Sequence, residues 1–134
     1  MRARDLMKPT DLIPVDATVA EAARHLAMSA YNTLPVCDRA GRLRGMLTDR
    51  DLVVEVAAAG KLSSETRLID LVRGEAVSVR ADEPIERAAA TMRDYQTPRV
   101  PVVDGERVVG MLSRSDVARR IPDSLVGLPA EQVD

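Results

Sequence analysis

Apolar residues along this chain follow two alternating rhythms, one with the period of a helix and one typical of a buried strand. Val19, Ala22, Ala23, Leu26, Ala27 and Ala30 lie at helical spacing on one face. Thr18 stands ahead of them as an N-cap, and Glu21 three residues later completes a capping box. Ile85, Ala88, Ala89 and Met92 repeat the stripe behind Pro84, which suits a first helical turn. Each stripe is preceded by a short amphipathic segment (residues 3–7 and 67–72) and a brief strand (12–15 and 76–80). Each is followed by two apolar runs that predict a hairpin, 34–37 with 43–47 and 100–103 with 107–112. A last helix starts at Thr48 or Ser113, and its first copy runs through Ala59 to a stop at Gly60-Lys61.

The pattern is therefore written twice. Sliding the chain on itself by 66 residues lays Pro35-Val36-Cys37-Asp38 on Pro101-Val102-Val103-Asp104, Asp16 on Asp82 and Val19 on Ile85. With one residue dropped, Gly45-Met46-Leu47 falls on Gly110-Met111-Leu112 and Asp51 on Asp116. The dropped residue lies in the hairpin turn, Asp38-Arg39-Ala40-Gly41 against Asp104-Gly105-Glu106, where a change of length costs little.

Strand, helix, strand, strand, helix, twice, with Pro-Val-x-Asp and Gly-h-h-[Ser/Thr]-x-x-Asp in each copy, resembles a tandem pair of cystathionine-β-synthase (CBS) domains, a Bateman module. Residues 34–38 with 45–51, and 100–104 with 110–116, carry the resemblance. It implies an α/β (α+β) fold of two pseudo-symmetric β-α-β-β-α motifs packed through their sheets. The expected division is 1–62 for the first motif, 63–121 for the second, and 122–134 for a tail in which Pro122, Gly127 and Pro129 exclude a long helix. The opening phrase 3–7 and the stretch 116–120 look closest to stand-alone bacterial two-CBS proteins, with no catalytic, channel or transporter domain attached.

Composition narrows this further. Apolar residues make up 46% of the chain yet include no Phe or Trp, so the core must be aliphatic. A formal charge of −2 with interspersed signs, and only Tyr31 and Tyr95 for stacking, disfavour nucleic acid as a partner. The single Cys37 suits a reducing cytoplasm. The charged start, residues 1–9, lacks a signal core, and the apolar run 52–59 is interrupted by Glu55, so a membrane span is not expected.

Chemistry concentrates where each second hairpin strand runs into the last helix. Unpaired amides and the positive dipole end at a helix N-terminus favour an anionic or hydroxyl-rich ligand. Asp51 or Asp116 can accept two hydrogen bonds from a ribose diol, and Thr48 or Ser113 can offer a hydroxyl. Gly45 and Gly110 would let a flat base approach the strand, and Met46, Met111, Ile13 and Val79 can supply apolar contact to it. The competing reading is local: Thr48-x-x-Asp51 and Ser113-x-x-Asp116 are both ordinary capping boxes. The resemblance implies that adenine nucleotides or S-adenosylmethionine (AMP, ADP, ATP or an adenosyl compound) bind in the cleft between the halves, with Pro35 and Pro101 in the motif, and that a homodimer forms. The junctions differ. Asp49 and Arg50 stand between hydroxyl and carboxylate in the first, Arg114 and Ser115 in the second, with Arg99, Arg119 and Arg120 nearby in sequence. The Asp116 junction is therefore expected to be the better phosphate binder.

Catalytic and metal chemistry find little support. His25 and Cys37 have no third ligand in phase, and one histidine without a nucleophile elbow makes no triad. His25 reads as an exposed or half-buried helix residue, and Cys37, which replaces Val103, as a small buried hydrophobe. The expectation is a regulatory protein that is not an enzyme, requires no cofactor and signals AMP- or ATP-type ligands to an unidentified protein partner. The alternative is a ligand-free interaction or dimerisation module.

Overall fold

A proline at the centre of each hairpin decides the shape of each sheet. Pro35 and Pro101 have no N–H to give a neighbouring strand, which is tolerated only where the neighbour is missing. In the computed structural model, which describes residues 1–29, 31–72 and 76–121, the neighbour is cut short accordingly. Strand β1 (Ile13–Pro14) pairs in parallel only with Val36 and Cys37 of β2 (Thr33–Cys37), and β2 pairs antiparallel with β3 (Leu43–Thr48). The second sheet repeats this: β4 (Val79–Arg80) meets only Val102 and Val103 of β5 (Arg99–Asp104), which pairs with β6 (Arg107–Ser113). The brief strands expected over 12–15 and 76–80 thus contract to two residues each. Both hairpins carry a bulge at the same place, and their turns use Gly41 and Gly105 at φ 82° and 64°, where the one-residue difference falls.

The helices are α1 (Ala3–Leu6), α2 (Val19–Met28), α3 (Asp49–Asp51), α4 (Ile85–Asp94) and α5 (Arg114–Ala118). Thr18 Oγ1 accepts from the Glu21 amide at 3.2 Å and caps α2, but the return bond from the Thr18 amide to the Glu21 side chain that would complete the expected capping box is not formed. Ile85, Ala88, Ala89 and Met92 are all buried on α4. On α2 the stripe is narrower than expected: Val19 and Ala22 are buried, Ala23 and Leu26 half-buried, and Ala27 exposed, while Ala30 lies outside the described residues. The helix expected from Thr48 to Ala59 is α-helical for one turn and then π-helical over Leu52–Ala57. Ala58 N donating to Val53 O and Lys61 N to Val56 O carry the wider spacing. Gly60, at φ 73°, ends it.

Two compact units result, one of Asp11–Ala76 and one of Met1–Thr10 with the chain from Val77 on. They do not follow the repeat boundaries at 1–62 and 63–121, because the lead-in segments are exchanged. Ala3 of α1 is buried with Val79, Ile85, Val100 and Leu112 of the second repeat, with Leu6 and Met7 beside it. Leu68, in a 3-10 turn over Leu68–Asp70, is buried with Ile13, Val19, Leu34 and Leu47 of the first. Each segment also supplies acceptors for the orphan amides of the helix it covers. Val19 N and Ala20 N of α2 donate to Thr66 O and Ser63 O, and Ile85 N of α4 donates to Met1 O. The polar stretch 61–66 between the two repeats therefore also serves as a helix cap. The tail 122–134 lies outside the described residues. Among the described residues no helix is long and apolar enough to cross a membrane.

Candidate functional site

Alternation along the strands sorts the residues predicted for the site onto two faces. Register opposes Pro35 to Met46 and Thr33 to Thr48 on one face of the first sheet, and Pro101 to Met111 and Arg99 to Ser113 on one face of the second. Pro35, Met46 and Thr48 are thereby brought together, as are Pro101, Met111 and Ser113. Ile13, Gly45, Val79 and Gly110 belong to the opposite, helix-covered faces. Ile13 and Val79, each 1% exposed inside the two cores, and Met111, 2% exposed on the other face, are not available to a base as placed.

The glycines serve the exchanged lead-in segments. A Cβ at Gly45 would lie 2.9 Å from Cβ and Cγ1 of Val72; at Gly110 it would lie 2.8 Å from Met7 Sδ and 3.0 Å from Lys8 O. The space over each glycine, expected to admit a flat base, is filled by protein. Lys8 N donates to Met111 O and Met111 N to Lys8 O, both at 2.9 Å, so the N-terminal strap is fixed alongside β6.

The helix amides are also largely engaged. Asp49 N donates to Asn32 O and Arg114 N to Pro98 O, while Asp51 N and Asp116 N donate to the Thr48 and Ser113 hydroxyls at 3.2 Å. With α5 only five residues long, the amide and dipole attraction expected from sequence is small, and attraction for an anion must come from side chains.

Here the two junctions part. Asp51 Oδ2 accepts from the Thr48 amide at 2.9 Å, closing a full capping box, and Arg50 beside it is exposed. Asp116 instead turns to cations. Its side chain is 12% exposed, with Lys8 Nζ at 3.2 Å from Oδ2 and Arg119 Nη1 at 2.9 Å from Oδ1. Ser113, itself buried, bonds its hydroxyl to that of Ser115 at 3.2 Å, and Arg114 is half-buried next to it. Lys8 was not legible as part of this group, since sequence order places it in the other repeat.

Away from the junctions, an open hollow of about 480 Å³ is lined by Asp11, Glu21, Arg24, His25 and Met28, and another of about 200 Å³ by Arg80, Asp82, Glu83, Pro84 and Arg87. Among the described residues no group of three or more His, Cys, Asp or Glu is placed to hold a metal ion. His25 is exposed and Cys37 buried, as their sequence settings suggest. Burial, with the Asp38 carboxylate beside it, pushes the Cys37 thiol up to about 11. Asp38 is held below the usual carboxylate range, chiefly by the Arg42 amide.

The profile of the CBS domain matches residues 3–58 and 68–123. Hypoxic response protein 1 of Mycobacterium tuberculosis is 33% identical over 125 residues, 92% of this chain and 87% of that protein. Its crystal structure, described with two coordinated zinc ions, superposes with a TM-score of 0.82 at 32% identity, covering 91% of this chain and 100% of that one. The cytosolic domain of the Mg2+ channel MgtE in complex with ATP follows, with a TM-score of 0.77 at 31% identity, covering 90% of this chain and 48% of that one; the MgtE magnesium transporter of Thermus thermophilus is 36% identical over 106 residues, 75% of this chain and 22% of that protein. The CBS domain pair of protein MJ0100 in complex with 5′-methylthioadenosine and S-adenosyl-L-methionine has a TM-score of 0.74 at 29% identity, covering 89% of this chain and 94% of that one.

Proposed function

The chain belongs to the CBS domain family, with two CBS domains in tandem, and from that premise we propose that it is a regulatory protein, not an enzyme, that binds an adenine nucleotide or adenosyl ligand at its strand–helix junctions. The observation that carries the reading is the second junction. A shielded carboxylate, Asp116, and a buried hydroxyl, Ser113, meet where Lys8, Arg114 and Arg119 add positive charge. Carboxylate for a ribose diol and cations for phosphate are chemistry such a ligand needs. ATP in the MgtE structure and the adenosyl compounds in the MJ0100 pair supply the ligand class by analogy. Regulation follows from differential stabilisation: a ligand shifts the protein toward whichever arrangement it binds better, and a protein partner in the cytoplasm reads the result.

A second reading, a dimerisation or interaction module without ligand, draws on different residues. Asp51 is fully accounted for as a helix cap, and Val53 and Val54 on the helix that follows are 61% and 45% exposed, an apolar surface suited to a homodimer.

Thermal melts with AMP, ADP, ATP and S-adenosylmethionine separate the two. A ligand at one hundred times its Kd contributes about 2.7 kcal/mol, a plain rise in Tm. The rise should be lost in Asp116→Ala and partly kept in Asp51→Ala. No rise with any of the four at millimolar concentration overturns the ligand reading.

A further inference from the structure

The geometry points to Lys8 as the residue that makes the second junction selective for ligands carrying their own anionic group, an inference that rests on a nucleoside diol engaging Asp116. Both oxygens of that carboxylate already face cations: Lys8 Nζ lies 3.2 Å from Oδ2 and 3.3 Å from Oδ1, and Arg119 Nη1 lies 2.9 Å from Oδ1. A diol that donates to the carboxylate must take positions the ammonium now holds.

Lys8 cannot leave with its segment. Its backbone is paired in both directions with Met111, and the preceding Met7 is seated over Gly110. Its side chain, by contrast, is 56% exposed and able to swing. The consequence is a displaced ammonium held within reach of whatever the ligand places next to its ribose. A phosphate gives that ammonium a new partner, so the ion pair is exchanged rather than lost. A neutral nucleoside offers no such partner, and a sulfonium repels the charge. The strap therefore adds, from outside the second repeat, a cation to the positive charge that Arg114 and Arg119 already present.

Isothermal titration calorimetry on the full chain in an Asp51→Ala background, with AMP and adenosine as probes, tests this. Lys8→Met should weaken AMP about tenfold while leaving adenosine unchanged or tighter, and Lys8→Arg should restore most of the preference for AMP. In the unsubstituted Lys8 protein, added salt should weaken AMP and leave adenosine almost unmoved, a readout that needs no Lys8 variant to fold. If Lys8→Met lowers both affinities by the same factor, Lys8 only seats the strap and the inference is wrong. Equal salt dependence for the two probes overturns it as well. If neither probe binds at millimolar concentration, it is the ligand reading of Asp116 that fails, and the inference falls with it.

Discussion

Gly45→Ala tests how the exchanged segments are seated. Gly45 does not use the left-handed backbone region, so alanine can adopt its conformation. In an ordinary strand position that change would stabilise by about 0.5–1 kcal/mol through lower chain entropy. Here the new Cβ would stand 2.9 Å from both Cβ and Cγ1 of Val72. No rotamer of Val72 relieves a clash with its own Cβ, so the segment that carries Leu68 and Val72 must move off the sheet. Overpacking of this kind costs about 1–3 kcal/mol. Because backbone has to shift, the upper half of that range applies, and subtracting the entropy gain leaves about 1–2.5 kcal/mol of destabilisation. For a chain of this length that lowers Tm by about 4–9 °C. With no Trp and only two Tyr, the measurement belongs to scanning calorimetry rather than intrinsic fluorescence. Adding Val72→Gly removes the opposing Cβ and should recover most of the loss relative to Val72→Gly alone. A Tm equal to or above that of the parent would refute the packing of Val72 on Gly45.

Leu68 is fully buried with the first repeat, so Leu68→Ala should cost about 2–5 kcal/mol and loosen residues 11–72 first in hydrogen exchange; loss beginning in the second repeat would contradict the exchange of segments. Thr48→Ala removes the acceptor for the Asp51 amide and should lower stability by about 1 kcal/mol, with an unchanged melt showing that the box contributes nothing. Cys37, 3% exposed with its thiol pushed to about 11, should react with maleimide at pH 8 orders of magnitude more slowly than after unfolding. Because the folded pKa is raised, the Cys37 contribution to stability is complete below its usual 9.0 and is lost as pH climbs from there through about 11. Cys37→Val, the residue of the other repeat, should lose less Tm than the parent over that window, and parallel Tm curves would refute the shift.

What was legible in the sequence is what neighbouring residues decide. Thr18, Thr48 and Ser113 cap helices because their hydroxyls need only an amide three residues on, and Gly41 and Gly105 place the turns. Docking of the lead-in segments was not legible for a physical reason. Asp5-Leu6-Met7 and Asp70-Leu71-Val72 occupy the same place in the repeat and present the same kind of apolar edge, so either sheet could accept either one. Only the completed fold shows Met7 on Gly110 and Val72 on Gly45. Gly45 and Gly110 were read as room for a ligand base, whereas Val72 and Met7 of the chain's own straps stand over them. Lys8 escaped notice for the same reason, because 108 residues of sequence separate it from Asp116.

The asymmetry of the junctions also acquires a cause that inspection of Asp49 and Arg114 alone did not supply. Backbone and hydroxyl cap are the same in both, so the difference lies in what each carboxylate already does. A ligand that claims Asp51 must compete with the Thr48 amide, and losing that cap costs about 1 kcal/mol of helix stability. A ligand that claims Asp116 competes with two half-exposed ion pairs, each worth about 0–1 kcal/mol and screened by salt. It also inherits the displaced cations if it is anionic. Under the nucleotide reading the second junction therefore fills first, and raising ionic strength narrows the gap between the two. The Asp51 junction, whose obstacle is a backbone hydrogen bond, should be nearly indifferent to salt.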